Sequence, residues 1–81
     1  MKNIYLVSQD TNTDYDTYDS FICYADSEEE AQCMLPNPYL DWKPHYSGWC
    51  YTPSDASVKY LGQTFDSTLE SGVILASFNA G

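Results

Sequence analysis

The chain has 81 residues, with twelve acidic side chains against three lysines, no arginine and a formal net charge of −9. That length makes one domain, residues 1–81, with room for a single sheet and modest cover. The charge excludes direct binding to DNA or RNA and to anionic membranes, each of which needs a cationic surface. Phosphorylated ligands are disfavoured too, because there is neither an arginine clamp nor a glycine-rich phosphate loop. The favoured partners are basic proteins. Hydrophobic residues at 43% argue for a folded chain in spite of the charge.

Asn3 to Gln9 reads as a strand. Its continuous apolar run, Ile4-Tyr5-Leu6-Val7, suits a strand covered on both faces. Asp10 to Asp19 follows as DTNTDYDTYD. Asp10, Asp14, Asp16 and Asp19 stand here with Tyr15 and Tyr18 among them and no basic residue. Ser20 to Ala25 is a second strand, so the acidic stretch forms the end of a hairpin. Ser27 with Glu30 forms a capping box, and Glu28, Glu29 and Glu30 sit where the helix dipole favours negative charge. The helix is short because Pro36 and Pro38 stop it, and Ala31, Met34 and Leu35 make its buried stripe. Residues 37–52 have no clean period but carry Tyr39, Leu40, Trp42, Tyr46, Trp49 and Tyr51. They read as an ordered, aromatic-rich loop packed on the sheet.

Pro53-Ser54-Asp55 is turn chemistry before a third strand, Ser57 to Gln63. Thr64 to Gly72 is turn-like, with Ser67 and Glu70 repeating the capping pattern. Val73 to Phe78 is a fourth strand, whose apolar run suggests an interior place in the sheet. The order β-β-α-loop-β-β predicts an α+β fold: a four-stranded antiparallel sheet, one short helix and the aromatic loop packed on it.

The acidic stretch admits three readings. Asp10, Asn12 and Asp14 match the first ligand positions of a calcium loop, but Tyr15 stands where glycine is needed and Phe21 where the bidentate glutamate belongs. A solvated hairpin end, with Asp and Asn bonding their own backbone, is the structural reading. The functional reading is a partner-binding patch made of Asp10, Asp14, Tyr15, Asp16, Tyr18 and Asp19, extended by Glu28 and Glu29 if the fold brings them alongside. Carboxylates on a rigid scaffold can stand in for nucleic-acid phosphates in a basic groove. Catalysis has no comparable support. His45 is the sole histidine, with Cys50 five residues on, and Cys23, Cys33, His45 and Cys50 lack the paired spacing of a zinc site. The sequence therefore predicts no enzyme, no metal and no cofactor. Three cysteines and an N-terminus, MKNIYLVS, without a leader pattern predict a cytoplasmic protein.

The runs IYLVSQDTNTDYDTYDSF, ADSEEEA and SGVILASFNAG resemble a group of short acidic proteins encoded in phages and prophages. By type, in size and acidity, the chain is similar to anti-defence proteins, including anti-CRISPR proteins. Several of those imitate DNA and block a basic nucleic-acid channel. The resemblance implies an inhibitor acting in the host cytoplasm on a nucleic-acid-dependent defence complex. The alternative is a non-enzymatic interaction module or homo-oligomer using the aromatic loop 39–51, with Trp42, Tyr46, Trp49 and Tyr51 at the contact.

Overall fold

The computed structural model describes residues 2–12, 17–37, 48–50, 52–64 and 70–79. Strands β1 (Asn3–Ser8), β2 (Thr17–Ala25), β3 (Ser57–Gln63) and β4 (Gly72–Asn79) form one sheet in the order β3-β1-β2-β4. All three pairings are antiparallel. With one short α-helix among the described residues, α1 (Glu28–Gln32), this is the α+β architecture that the order of elements implied.

Strand alternation assigns the core. Tyr5 and Val7 of β1 and Phe21, Cys23 and Ala25 of β2 point to one face and are buried there. Val58 of β3 and Ala76 of β4, paired with Val7 and Phe21, extend that face. Ala31 of α1, then Met34 and Leu35, then Trp49, Cys50 and Ala56 cover it. The Trp49 ring lies 5.2 Å from Phe21, and Tyr60 meets Tyr5 edge-on at 5.8 Å. Full burial of a side chain such as Phe21 or Val7 contributes about 1.5–3 kcal/mol.

Helix α1 begins as its sequence requires: Ser27 Oγ accepts the Glu30 backbone N–H at 3.1 Å. The reciprocal half of the cap is displaced by one residue, since Glu30 Oε1 accepts from the Asp26 N–H at 2.9 Å. The helix ends at Gln32, before either proline, and Met34 and Leu35 reach the core from beyond it. A turn at Pro53–Asp55 precedes β3, with Asp55 capping the Thr52 N–H at 3.2 Å.

Three expectations are corrected. The apolar run of β4 predicted an interior strand, yet β4 is an edge, because β2 already pairs with β1 on its other side. β1 is central, but no described element covers its second face, where Ile4 and Leu6 are only half-buried. Strand β2 begins at Thr17 rather than Ser20, because its first residues pair with Phe78 and Asn79 of β4. Tyr18 and Asp19 therefore belong to a strand and not to a loop.

The described ends of the connection from β3 to β4 lie at the Asn3 end of the sheet. There the Thr64 N–H donates to the Lys2 carbonyl at 3.0 Å, and Lys2 Nζ donates to Ser71 Oγ at 3.2 Å. Ser71 Oγ in turn donates to Glu30, which ties the residue before β4 to the helix.

Candidate functional site

The acidic hairpin end is held at its root by a side chain that charge counting passes over. Gln9 is buried just after β1. Its Nε2 donates to the carbonyls of Asn12 at 2.8 Å and Tyr18 at 2.9 Å. Its Oε1 accepts from the backbone N–H of Thr11 at 3.0 Å and of Asn12 at 2.8 Å, and from Thr11 Oγ1 at 3.2 Å. One amide thus bonds backbone groups on both sides of the hairpin end. Asn12, also buried, donates through Nδ2 to the Trp49 carbonyl at 2.9 Å. The Tyr18 N–H donates to the Gly48 carbonyl at 2.9 Å, and Asn37 Nδ2 donates to the Tyr18 hydroxyl at 3.2 Å. The described residues on either side of the aromatic stretch 38–47 are therefore fastened beside the same hairpin.

On this root stand Asp10 and Asp19. Both are exposed, and the Gln9 N–H donates to the Asp19 carbonyl at 3.1 Å. Asp19 is the extra residue of an irregularity in which Tyr18 pairs with Phe78 and Ser20 with Ser77. The irregularity swings its side chain out of the regular alternation. Asp14, Tyr15 and Asp16 lie outside the described residues. Tyr18 is half-buried and packed edge-on against Phe78 at 4.8 Å, so its ring is spent on packing.

Glu28 and Glu29 are exposed but stand at the opposite end of the sheet. Asn3 pairs with Ala25 next to the helix, whereas Ser8 pairs with Ser20 next to the hairpin end. Five strand steps separate these pairs, about 17 Å at the rise of an antiparallel strand. The helix start and the hairpin end therefore do not form one row. The helix end is also partly neutralised, since Lys2 Nζ lies 2.8 Å from Asp26 Oδ1. That hydrogen bond raises the Lys2 pKa against the opposing effect of desolvation, and the Asp26, Glu30 and Glu70 charges add to the rise. It is the ion pair found among the described residues.

No protein-family model, no curated protein and no solved structure matches the chain. What the site does must be read from its own chemistry.

Among the described residues no three His, Cys, Asp or Glu side chains gather as metal ligands, and His45 lies outside them. Burial, with the Glu30 carboxylate second, pushes the Cys23 thiol up to about 11. Burial, with Asp55 second, pushes Cys50 up to about 11. Neither thiol is a nucleophile near neutral pH. A groove of about 330 Å³ on the uncovered sheet face is lined by Leu6, Ile22 and Leu75 with Ser20 and Ser77, and it brings no titratable group together. No helix among the described residues is long and apolar enough to cross a membrane. Trp49, expected at an interface, is 3% exposed and belongs to the core, because its ring fills the space over Phe21. A contact through the aromatic stretch would have to use other rings; Trp42, Tyr46 and Tyr51 lie outside the described residues.

Proposed function

We propose that this chain is a non-enzymatic acidic binding module whose hairpin end docks on a basic, nucleic-acid-binding surface of another protein. The phage resemblance makes the target class a host defence complex of the CRISPR–Cas type, which the chain inhibits as a DNA mimic. The observation that carries the reading is the buried Gln9 amide, which pins the root from which Asp10 and Asp19 project with no cation paired to either among the described residues. Like charges concentrated on an ordered scaffold cost folding stability, and an electropositive recipient offsets that cost on binding. A preorganised root also spares the ordering entropy of association. The surface is narrower than the sequence suggested: Asp10, Asp14, Asp16 and Asp19 carry it with Tyr15, and Glu28 and Glu29 stand aside.

The test is competition for DNA by the purified chain against a panel of guide-loaded CRISPR effector complexes. The chain is expected to block DNA loading on at least one of them. The block should weaken about tenfold or more as salt rises from about 50 to about 200 mM, since exposed charges are screened over that range. Changing all four aspartates to asparagine should abolish the block with the fold intact by circular dichroism, while Glu28→Gln with Glu29→Gln leaves it unchanged. Undiminished inhibition by the four-asparagine variant, or no inhibition of any complex, refutes the reading.

A further inference from the structure

The uncovered face of the sheet carries a regular lattice, clear of the register shifts. Lys59, Leu6, Ile22 and Leu75 are paired in turn across all four strands and form one row on that face. Beside it Ser57, Ser8, Ser20 and Ser77 form a second row, each two residues along its strand. Leu6, Ile22 and Leu75 floor the groove of about 330 Å³, and Ser20 and Ser77 flank it. Leu75 is 65% exposed, so the floor faces solvent. The groove spans β1 to β4, two strand steps or about 10 Å. Its volume of about 330 Å³ divided by that length leaves a cross-section of about 35 Å². A helix 10–12 Å across needs roughly 80–110 Å². A strand needs about 50 Å², from its 4.8 Å and 10 Å spacings. Neither fits within the groove, whereas one extended aliphatic chain does.

Charge decides the head of such a chain. The four strands hold two charged side chains, Asp19 and Lys59, although the protein has twelve carboxylates. Lys59 is exposed at one end of the apolar row, its Cβ about 5 Å from that of Leu6. The ion pair found among the described residues engages Lys2 instead. Ser57 stands two residues before Lys59 on the same face, and Ser8 stands diagonally across from it. Asp19 lies on the other flank, its carboxylate accepting from Ser20 Oγ at 3.2 Å, and it repels an anion from that end. We propose that the groove binds a single-chain anionic amphiphile, a medium-chain fatty carboxylate. The Lys59 ammonium and the Ser57 and Ser8 hydroxyls hold its head, and its tail lies across Leu6, Ile22 and Leu75. The ligand arrives as the free monomer, because a body carrying −9 is repelled by an anionic bilayer.

Titration of the full chain with sodium decanoate below its micellar concentration, followed by NMR, tests this. Saturable one-to-one binding is expected, with magnetisation transfer from the tail to the methyl groups of Leu6, Ile22 and Leu75 and none to those of the buried Val7. From hexanoate through octanoate to decanoate the affinity should rise about two- to fourfold per methylene, the upper figure being full burial. Lys59→Gln should weaken octanoate about threefold or more and leave octanol unchanged, since the alcohol has no charge to lose. Leu75→Ser should weaken both. Lys59 and Leu75 are exposed, so neither change disturbs the core, and the wild-type methyl contacts are a readout independent of both variants. Absence of saturable binding, affinity indifferent to tail length, contacts at other side chains, or octanoate binding untouched by Lys59→Gln would each overturn the proposal.

Discussion

Gln9→Ala is the substitution that most directly probes how the acidic end is built. It deletes an amide that makes five hydrogen bonds, to groups of Thr11, Asn12 and Tyr18. A net hydrogen bond contributes about 1 kcal/mol, and an orphaned buried group costs about 1–3 kcal/mol. Thr11 is exposed and can turn to water, whereas Asn12 is buried and cannot do so without opening the hairpin end. The expected loss is about 2–4 kcal/mol, a large part of the roughly 4–12 kcal/mol that a chain of this size holds. With a urea slope near 1 kcal/mol per molar, the midpoint followed by tryptophan fluorescence should fall by about 2–4 M.

Gln9→Glu sharpens the test. It keeps the shape and the acceptor for the Thr11 and Asn12 amides, but it aims a carboxylate at the Asn12 and Tyr18 carbonyls, beside Asp10 and Asp19. At neutral pH it should destabilise at least as much as alanine. Burial and the neighbouring carboxylates raise the pKa of the introduced carboxyl above its unfolded value of about 4.3. The folded state then binds the proton more tightly, so stability recovers as pH falls through the raised pKa and is fully restored below the unfolded one. If both variants unfold within about 0.5 kcal/mol of wild type, the amide does not hold the hairpin end and the preorganisation argument fails.

Trp49→Ala should cost about 3–5 kcal/mol as a core truncation, in chemical denaturation of the purified chain. Trp49→Phe should cost markedly less than its lost volume implies, since the indole Nε1–H is buried without an acceptor and its removal relieves about 1–3 kcal/mol. Ser27→Ala should cost about 1 kcal/mol through the lost cap on Glu30, read from the same denaturation curves. Thiol labelling at pH 8 should modify the exposed Cys33 first, with Cys23 and Cys50 limited by opening of the fold. Both buried thiols keep their protons from the ordinary 9.0 up to about 11 when folded. Stability is therefore intact below pH 9 and lost between pH 9 and 11, on the order of 2–3 kcal/mol per thiol. Urea midpoints at pH 8 and 10.5 measure that loss.

The element order was legible because each signal is local. Ser27 with its three glutamates starts a helix wherever that helix lies, and runs of strand-forming residues mark β1 and β2; which face each strand buries was not legible, because Ile4-Tyr5-Leu6-Val7 and Phe21-Ile22-Cys23-Tyr24 are apolar throughout. Strand order was not legible, since it is settled by pairings between residues far apart in the chain. The run VILASF looks like a doubly covered strand, yet it falls at an edge because β1 occupies the other side of β2. The acidic patch was legible as composition and not as geometry. Asp10 and Asp19 are brought together by a hairpin, but Glu28 and Glu29 depart with the chain at the far end of β2. The role of Gln9 was not legible because a neutral amide gives no signal in charge or hydropathy, and Asn12 read as a calcium-ligand position rather than as a buried donor to the Trp49 carbonyl. Trp49 looked like an interface ring because aromatic richness does not distinguish core from contact.

The two proposed contacts have different driving forces, and this separates them without knowledge of the target. Docking through Asp10 and Asp19 is attraction between unlike charges and weakens as salt rises. Filling the groove removes apolar area from water, so its strength follows tail length and its heat capacity of binding is negative. The two meet at Asp19, whose carboxylate accepts from Ser20 Oγ while Ser20 flanks the groove. Lys59 stands on β3 with β1 between it and β2, about 10 Å at the spacing of neighbouring strands, which is a Debye length at about 0.1 M salt. The four-asparagine variant removes four carboxylates and takes the net charge from −9 to −5. It should therefore bind decanoate at least as tightly as the wild type, in calorimetric titration, while a basic target is lost. Loss of decanoate binding in that variant would mean that the aspartates build the groove and that the two sites are one.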